Sequence, residues 1–166
     1  MGYSMAIRAI REFLQHLCRM RLSMGYPDRD AEKDLIAGQA GGNPLDEMTA
    51  AFTPAALVAA RRRAQAVHMD ESLLDYLLRI VEGTRAHPDL ALGASPRAAL
   101  ALGRAARAAA HLAGRDFVVP DDIKSLAEPV LAHRLSPREG SADPASRRDQ
   151  VRAVLGDVLE RAGVPL

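Results

Sequence analysis

The segment from Gly93 to Leu131 most constrains the fold, because its local signals predict a helix, a short extended turn and a second helix. Ser95 is a favourable N-cap residue, and Pro96 suits a first helical turn, in which its missing N–H costs nothing. Alanine, leucine and arginine then favour a helix until Gly114. Pro120 begins the second helix in the same way.

The connection between these two helices is also predicted by its residues. Phe117, Val118 and Val119 form a short β-like run. Asp121 and Asp122 follow Pro120 in the first turn of the second helix, where the helix dipole favours negative charge.

Arg97 is the unusual residue of this segment, because it places a cation in the first turn of a helix. Free N–H groups and the dipole disfavour positive charge there. An anion such as phosphate would explain the arginine, since phosphate binds well at helix N-termini and guanidinium adds a forked donor. Local chemistry by itself favours the simpler interpretation, a solvated arginine.

The composition indicates a soluble protein of close-packed helices. Of the 166 residues, 48% are hydrophobic, 26% are charged and only 4% are aromatic. The net charge of +1 gives no general attraction to nucleic acid or to a membrane surface. Cys18 is the only cysteine, which excludes an internal disulfide and a cysteine zinc site. We find no signal peptide or apolar membrane span, and we expect a cytoplasmic protein.

Further helices are predicted by apolar periodicity along the chain. Two of them span residues 1–18 and 28–39, and a third begins at Thr53–Pro54 with a buried stripe at Leu57, Ala60, Ala64 and Val67. A core helix runs from Asp70 to about Arg85, and its apolar side is Leu73, Leu74, Tyr76, Leu77, Leu78, Ile80 and Val81. A last helix runs from Val151 to Ala162 and ends at Gly163. Loops are expected at 41–44 and 87–93, and a polar linker at 136–146. The predicted fold is an all-α bundle of roughly five to seven helices, with Met20–Met24 as a short remnant strand lying as coil or at an edge.

Several separated motifs resemble one protein family. They are Met24–Arg29 (MGYPDR), Thr84–Leu90 (TRAHPDL), Gly93–Ala98 (GASPRA), Gly114–Lys124 (GRDFVVPDDIK) and Pro129–Leu135 (PVLAHRL). Together they are similar to the C-terminal lid of MoxR-type AAA+ ATPases, from about Met20 to the end of the chain. The resemblance implies a domain division into 1–24, an N-terminal helix and remnant of the ATPase core, 25–135, a lid-type helical bundle, and 136–166, a linker and C-terminal amphipathic helix.

The sequence departs from this family in three places. Val119 stands where the family usually has a small hydroxyl residue that caps the next helix. Residues 15–19 do not match the end of the family's ATPase core. The core itself is missing, since no G-x-x-x-x-G-K-[ST] motif surrounds Lys33 or Lys124, the only lysines. We therefore expect a natural fragment of a longer ATPase, a gene read from a shifted start or a degraded gene.

The resemblance implies a role for the start of the first helix. In the family, the arginine of the Ser-Pro-Arg motif is the sensor-2 residue that touches nucleotide phosphate, which is Arg97 here, beside Ser95 and Pro96. It further implies that the complete protein binds ATP with Mg²⁺ and remodels other proteins as a chaperone does. The implied partners are an ATPase core, further copies in a homo-oligomeric ring such as a hexamer, and a von Willebrand A-domain protein. We expect no catalytic residue, no metal site, no tightly bound cofactor and no ATP hydrolysis from this chain alone.

Two other functions remain open from the residues. The turn at 114–123 also resembles the loop before the last helix of histone-like proteins, which predicts a binding module, although the near-neutral charge disfavours contact with many phosphates. Alternatively, the terminal amphipathic helices could dock partner proteins as an adaptor.

Overall fold

The computed structural model describes residues 20–38, 48–138 and 143–165, and these residues form six α-helices and one small sheet. The predicted all-α bundle is confirmed, with β structure limited to two short strands. The elements are α1 (Arg29–Gly38), α2 (Pro54–Ala66), α3 (Glu71–Ala86), β1 (Leu90–Leu92), α4 (Pro96–Leu112), α5 (Pro120–Leu131), a 3₁₀ turn (Ala132–Arg134), β2 (Ser136–Pro137) and α6 (Pro144–Ala162). The predicted helix at 1–18 and loop at 41–44 lie outside the described residues.

The chain divides into two compact units, and residues 22–60 form the smaller one. In this unit α1 begins where predicted, because the Asp28 carboxylate accepts hydrogen bonds from the Asp30 and Ala31 N–H groups at 3.1 and 2.8 Å. Thr53 caps α2 in the same way, with its Oγ1 3.1 Å from the Ala56 N–H nitrogen.

The buried stripe predicted for α2 is wrong. None of its residues is buried, and of the predicted stripe only Val67, just after the helix, is part of the core. Helical periodicity determines which side chains share a face, but burial also requires another element that covers that face.

The larger unit is centred on α3, which begins at its predicted cap, since Asp70 Oδ1 accepts a hydrogen bond from the Ser72 N–H. Its buried face is Leu73, Tyr76, Leu77, Ile80, Val81 and Thr84. Two leucines assigned to the core are instead exposed, Leu74 by 41% and Leu78 by 47%. The 100° step per residue places them beyond the edge of the buried face.

The sheet lies elsewhere than predicted. Strand β1 pairs antiparallel with β2, in residues that we expected to be loop and linker. One further backbone hydrogen bond extends this pairing, since the Arg138 N–H donates to the Asp89 carbonyl at 2.8 Å. Residues 20–28 form no regular element, as the coil alternative predicted, and Arg21 N–H donates to the Pro129 carbonyl.

The turn between α4 and α5 has the predicted extended form, and a glycine conformation and two backbone hydrogen bonds determine its path. Gly114 adopts a φ of +74°, which ends α4 in the left-handed region that glycine tolerates. His68 then pairs with the turn through backbone hydrogen bonds to Asp116 and Val118, at 2.8 and 2.9 Å.

The last helix, α6, folds back onto the bundle. Val151, Val154, Leu155 and Val158 are buried, and they belong to the same core cluster as α3 and α4. At its end Arg79 of α3 donates from Nε to the Ala162 carbonyl at 2.9 Å. The apolar face predicted for either the bundle or a partner is therefore used inside the bundle. No helix in the described ranges has the length and apolarity needed to cross a bilayer.

Candidate functional site

The start of α4 has the geometry that the sequence predicts. Ser95 is extended, and its Oγ accepts a hydrogen bond from the Ala98 N–H at 3.3 Å. The Ser95 carbonyl also accepts from Ala98 and Ala99, so the first intrahelical bonds are made. Pro96 occupies the first helical turn, as predicted.

Arg97 follows in the same turn, and its side chain is exposed. Among the residues that the structure describes, Arg97 has no hydrogen-bond or ion-pair partner. Guanidinium carries five N–H donors in a fixed fork. The donors of Arg97 are thus available to an external anion beside the positive end of the α4 dipole.

The loop before α4 is hydrogen-bonded to the end of α3. Thr84 is fully buried, and its hydroxyl accepts a hydrogen bond from the Ala94 N–H at 2.9 Å. The next residue, Arg85, donates from Nε to the Ala94 carbonyl at 2.8 Å. Both polar groups of Ala94 are therefore bound by two consecutive residues of α3.

Gly93 makes this approach possible. A Cβ atom there would lie 2.5 Å from the Arg85 Cα and 2.7 Å from the Thr84 carbonyl oxygen. Such distances are far inside van der Waals contact, so only glycine fits without moving the backbone. Thr84 and Arg85 were not predicted in this role. The available signal was Thr84, a hydroxyl residue on the apolar face of α3.

Arg104 lies on the same face of α4, two turns after Arg97. It is also exposed and has no partner within the described ranges. In contrast, Arg107 donates from Nε to the Val67 carbonyl at 3.1 Å, which ties α4 to the segment before α3. Arg104 is thus the natural comparison for any special property of Arg97.

The other end of α4 leads to a half-buried ion pair. Arg115 binds Asp122 with both nitrogens of its fork, at 2.8 and 2.7 Å. Asp122 Oδ2 also accepts from the Val119 N–H at 2.9 Å. The hydrogen bond from Arg115 lowers the pKa of Asp122 most, and burial only partly opposes that shift. Asp122 thereby binds the backbone N–H of the N-cap residue Val119, whereas Val119 offers no side-chain acceptor to the first-turn N–H groups of α5.

A groove of about 360 Å³ lies between the end of α3 and α6. His87 lines it, with Nε2 3.1 Å from Asp157 Oδ2 and Nδ1 accepting the Asp89 N–H at 3.2 Å. Asp157 also accepts a hydrogen bond from Arg161 at 2.9 Å. These groups satisfy one another, and they hold α6 against the loop. No group of three or more His, Cys, Asp or Glu side chains in the described ranges could hold a metal ion.

Comparison with known proteins identifies this architecture. Residues 82–154 match the family model of the AAA lid domain, which covers Thr84, the start of α4, the Arg115–Asp122 turn and the first part of α6. The chain is 34% identical to the uncharacterized protein YeaC of Bacillus subtilis over 148 residues, which is 88% of this chain and 45% of that protein.

Two MoxR proteins are also similar. Identity to the chaperone MoxR1 of Mycobacterium tuberculosis is 32% over 124 residues, or 69% of this chain and 32% of that protein. The protein MoxR of Paracoccus denitrificans is 46% identical over 55 residues, which cover 33% of this chain and 16% of that protein. The chain thus spans less than half the length of these relatives.

The fold also matches a solved structure, that of an inferred ATPase from Cytophaga hutchinsonii. The two superimpose with a TM-score of 0.73 at 24% identity, over 89% of this chain and 47% of that chain. The family match, the MoxR relatives and the shared fold agree with one another. The chain therefore carries the lid domain of a MoxR-type AAA+ ATPase.

Proposed function

We propose that this chain is the sensor-2 part of an ATP-hydrolysing MoxR protein, in which Arg97 contacts the phosphates of ATP held by an ATPase core. The observation that carries the proposal is the state of Arg97 itself. It is an exposed cation in the first turn of α4, on a helix start that hydrogen bonds join to α3, and the described residues give it no partner. An anion supplied from outside would remove the conflict between this cation and the helix dipole.

The residues of this chain fit one part of a nucleotide site. Arg97 can donate a forked, charge-assisted pair of hydrogen bonds to phosphate oxygens, and Ser95 and Pro96 form the helix start that presents it. Bound Mg²⁺ supplies charge neutralisation at the phosphates in ATPases generally. The described residues provide no cluster of metal-ligating side chains, so the ligands for Mg²⁺ would come from the core.

The partners follow from the same proposal. The core that holds ATP would be the first partner, and a homo-oligomeric ring, such as a hexamer, would bring several lids together. The similarity to the mycobacterial chaperone MoxR1 supports remodelling or maturation of other proteins as the overall task. A von Willebrand A-domain protein as a further partner, and a place in the cytoplasm, belong to this proposal as well.

The test is a chimera in which this chain replaces the structurally equivalent part of the Cytophaga hutchinsonii protein. Arg97→Ala should lower ATP turnover by roughly ten- to a hundredfold, because it removes a charge-assisted contact of ~1.5–3 kcal/mol. Arg97→Lys should restore only part of the rate, since a point charge replaces a forked donor. Phosphate release and the affinity for a fluorescent ATP analogue are measured for each variant.

Arg104→Ala is the matched control, since Arg104 has the same exposure on the same helix face. It should hydrolyse ATP at the parent rate, and all variants should melt at the parent temperature. The chain alone should release no phosphate above background, because its sequence contains no G-x-x-x-x-G-K-[ST] motif. If Arg97→Ala has the parent rate and the parent affinity, Arg97 is an ordinary solvated arginine. Mixing Arg97→Ala subunits with subunits defective in the phosphate loop shows whether Arg97 serves its own nucleotide or that of a neighbour.

A further inference from the structure

We infer that Thr84 is a positioning residue for Arg97, because its buried hydroxyl fixes the backbone from which α4 starts. The inference rests on the proposed contact between Arg97 and phosphate. It adds a residue that touches neither nucleotide nor Arg97, and that acts through the Ala94 peptide group.

The hydroxyl of Thr84 donates one hydrogen bond and accepts another. Its O–H donates to the Val81 carbonyl at 2.6 Å, one turn earlier on α3. This bond orients the oxygen, which then accepts the Ala94 N–H at 2.9 Å. Thr84 and Ala94 are exposed by only 0% and 1%, so water cannot replace either bond. Removing the hydroxyl would leave a buried N–H group without a partner.

The other polar group of Ala94 is held as well, since Arg85 Nε donates to its carbonyl at 2.8 Å. Gly93 packs directly against the backbone of Thr84 and Arg85, which brings Ala94 close to both residues. Ala94 immediately precedes the cap residue Ser95. The two peptide groups on either side of the Ala94 Cα, which lead into α4, are therefore each bound by a residue of α3.

This restraint matters for Arg97 because nothing else among the described residues holds its side chain. Its guanidinium group is placed by the helix start alone. A shift of the reacting groups by about 1 Å can cost an enzyme ~10²-fold in rate. Thr84 would thus influence turnover by determining where the Arg97 fork meets the phosphates.

The first experiment measures the protection of backbone amides at the start of α4, by hydrogen–deuterium exchange in the 166-residue chain. Thr84→Val keeps the branched shape and removes the hydroxyl, whereas Thr84→Ser keeps the hydroxyl. Exchange at the amides of Ala94 and Ala98 should become at least about tenfold faster in Thr84→Val and stay near the parent value in Thr84→Ser. Ile80→Val, a buried change one turn earlier on α3, is the control for general destabilisation. It should not accelerate these two amides selectively. Equal exchange in Thr84→Val and the parent chain would overturn the inference.

The second experiment is a double-mutant cycle in the chimera described above. Thr84→Val should lower turnover by about tenfold when Arg97 is present, and should cause no further loss in the Arg97→Ala background. A merely structural role would instead give the same loss in both backgrounds, which would also overturn the inference. An unchanged rate for Arg97→Ala alone would contradict the proposed function, and the exchange measurement would still report separately on the helix start.

Discussion

At the residue scale, Gly93 shows most directly how sequence and packing depend on each other. We predict that Gly93→Ala destabilises the chain by ~1–3 kcal/mol, because the new Cβ would lie 2.5 Å from the Arg85 Cα and the loop must move. The free energy of unfolding in urea measures the effect.

Gly156→Ala is the control for this substitution. Gly156 lies in α6, where an added Cβ meets nothing within 4 Å. Alanine in a helix should therefore stabilise the chain there by ~0.5–1 kcal/mol. If both substitutions stabilise the chain, the close packing of Gly93 against α3 is not rigid.

The Arg115–Asp122 pair predicts a dependence of stability on pH. The pKa of Asp122 is lowered in the folded chain, mainly by the hydrogen bond from Arg115. A carboxyl whose folded pKa is depressed adds stability above its unfolded pKa of about 3.9, and this contribution is lost as the pH falls through the folded value. The chain should therefore lose stability below about pH 4.

Asp122→Asn isolates this contribution. At neutral pH it should lower the free energy of unfolding by about 2 kcal/mol, because a hydrogen bond to a charged group is lost. The difference from the parent chain should shrink as the pH falls to about 3. Asp70 and Asp143 also have lowered pKa values, owing to hydrogen bonds from Ser72 and Ser146, so part of the acid sensitivity should remain. A difference that is constant from pH 7 to 3 would contradict the assignment.

At the element scale, the start of α5 lacks a side-chain cap. Val119 is extended, with φ −117° and ψ 160°, and makes no cap bond. Val119→Thr has nearly the same shape and offers an oxygen to the first-turn N–H groups. We predict that it raises the free energy of unfolding by ~0.5–1 kcal/mol. The thermal midpoint followed by circular dichroism reports the change.

The neighbouring Val118 provides the matched control, because it is buried with only 4% exposure. Val118→Thr should destabilise the chain, since it buries a hydroxyl in the core. A loss of stability in Val119→Thr as well would show that a side-chain oxygen at this position does not cap the first-turn N–H groups of α5.

At the scale of the whole molecule, α6 completes the core of the larger unit. Removal of residues 146–166 would expose the face that Val151, Val154, Leu155 and Val158 cover. Burial of each such side chain is worth ~1.5–3 kcal/mol, so the four together contribute roughly 6–12 kcal/mol, which is comparable to the whole stability of a small domain. We predict that the truncated chain loses cooperative thermal unfolding, whereas the full chain gives a helical spectrum and a cooperative transition. A truncated chain that still melts cooperatively would restore the hypothesis that α6 is a docking helix for a partner.

Local signals were sufficient to predict the starts of α3, α4 and α5 and the end of α4. The start of α6 was predicted wrongly, because it begins at Pro144 with Asp143 as its cap, inside the segment that we expected to be a linker. Asp70 and Ser95 cap their helices through short-range hydrogen bonds, and Gly114 ends α4 through its own backbone freedom. Such signals depend only on neighbours in the chain, so they can be read from the sequence. Ser95, Pro96 and Arg97 were located in this way, and the fold class followed from the same helices.

Tertiary structure alone decided which apolar faces are covered and what holds the site. Leu74 and Leu78 lie outside the core, and residues expected in a loop and a linker pair as β1 and β2. The grip of Thr84 on Ala94 joins residues ten positions apart, at the ends of two different elements. Contacts of this kind depend on how the helices pack against one another, and no local pattern specifies that packing. The sequence by itself therefore determined where α4 begins and that Arg97 lies in its first turn, while packing against α3 determined where this helix start lies in the larger unit.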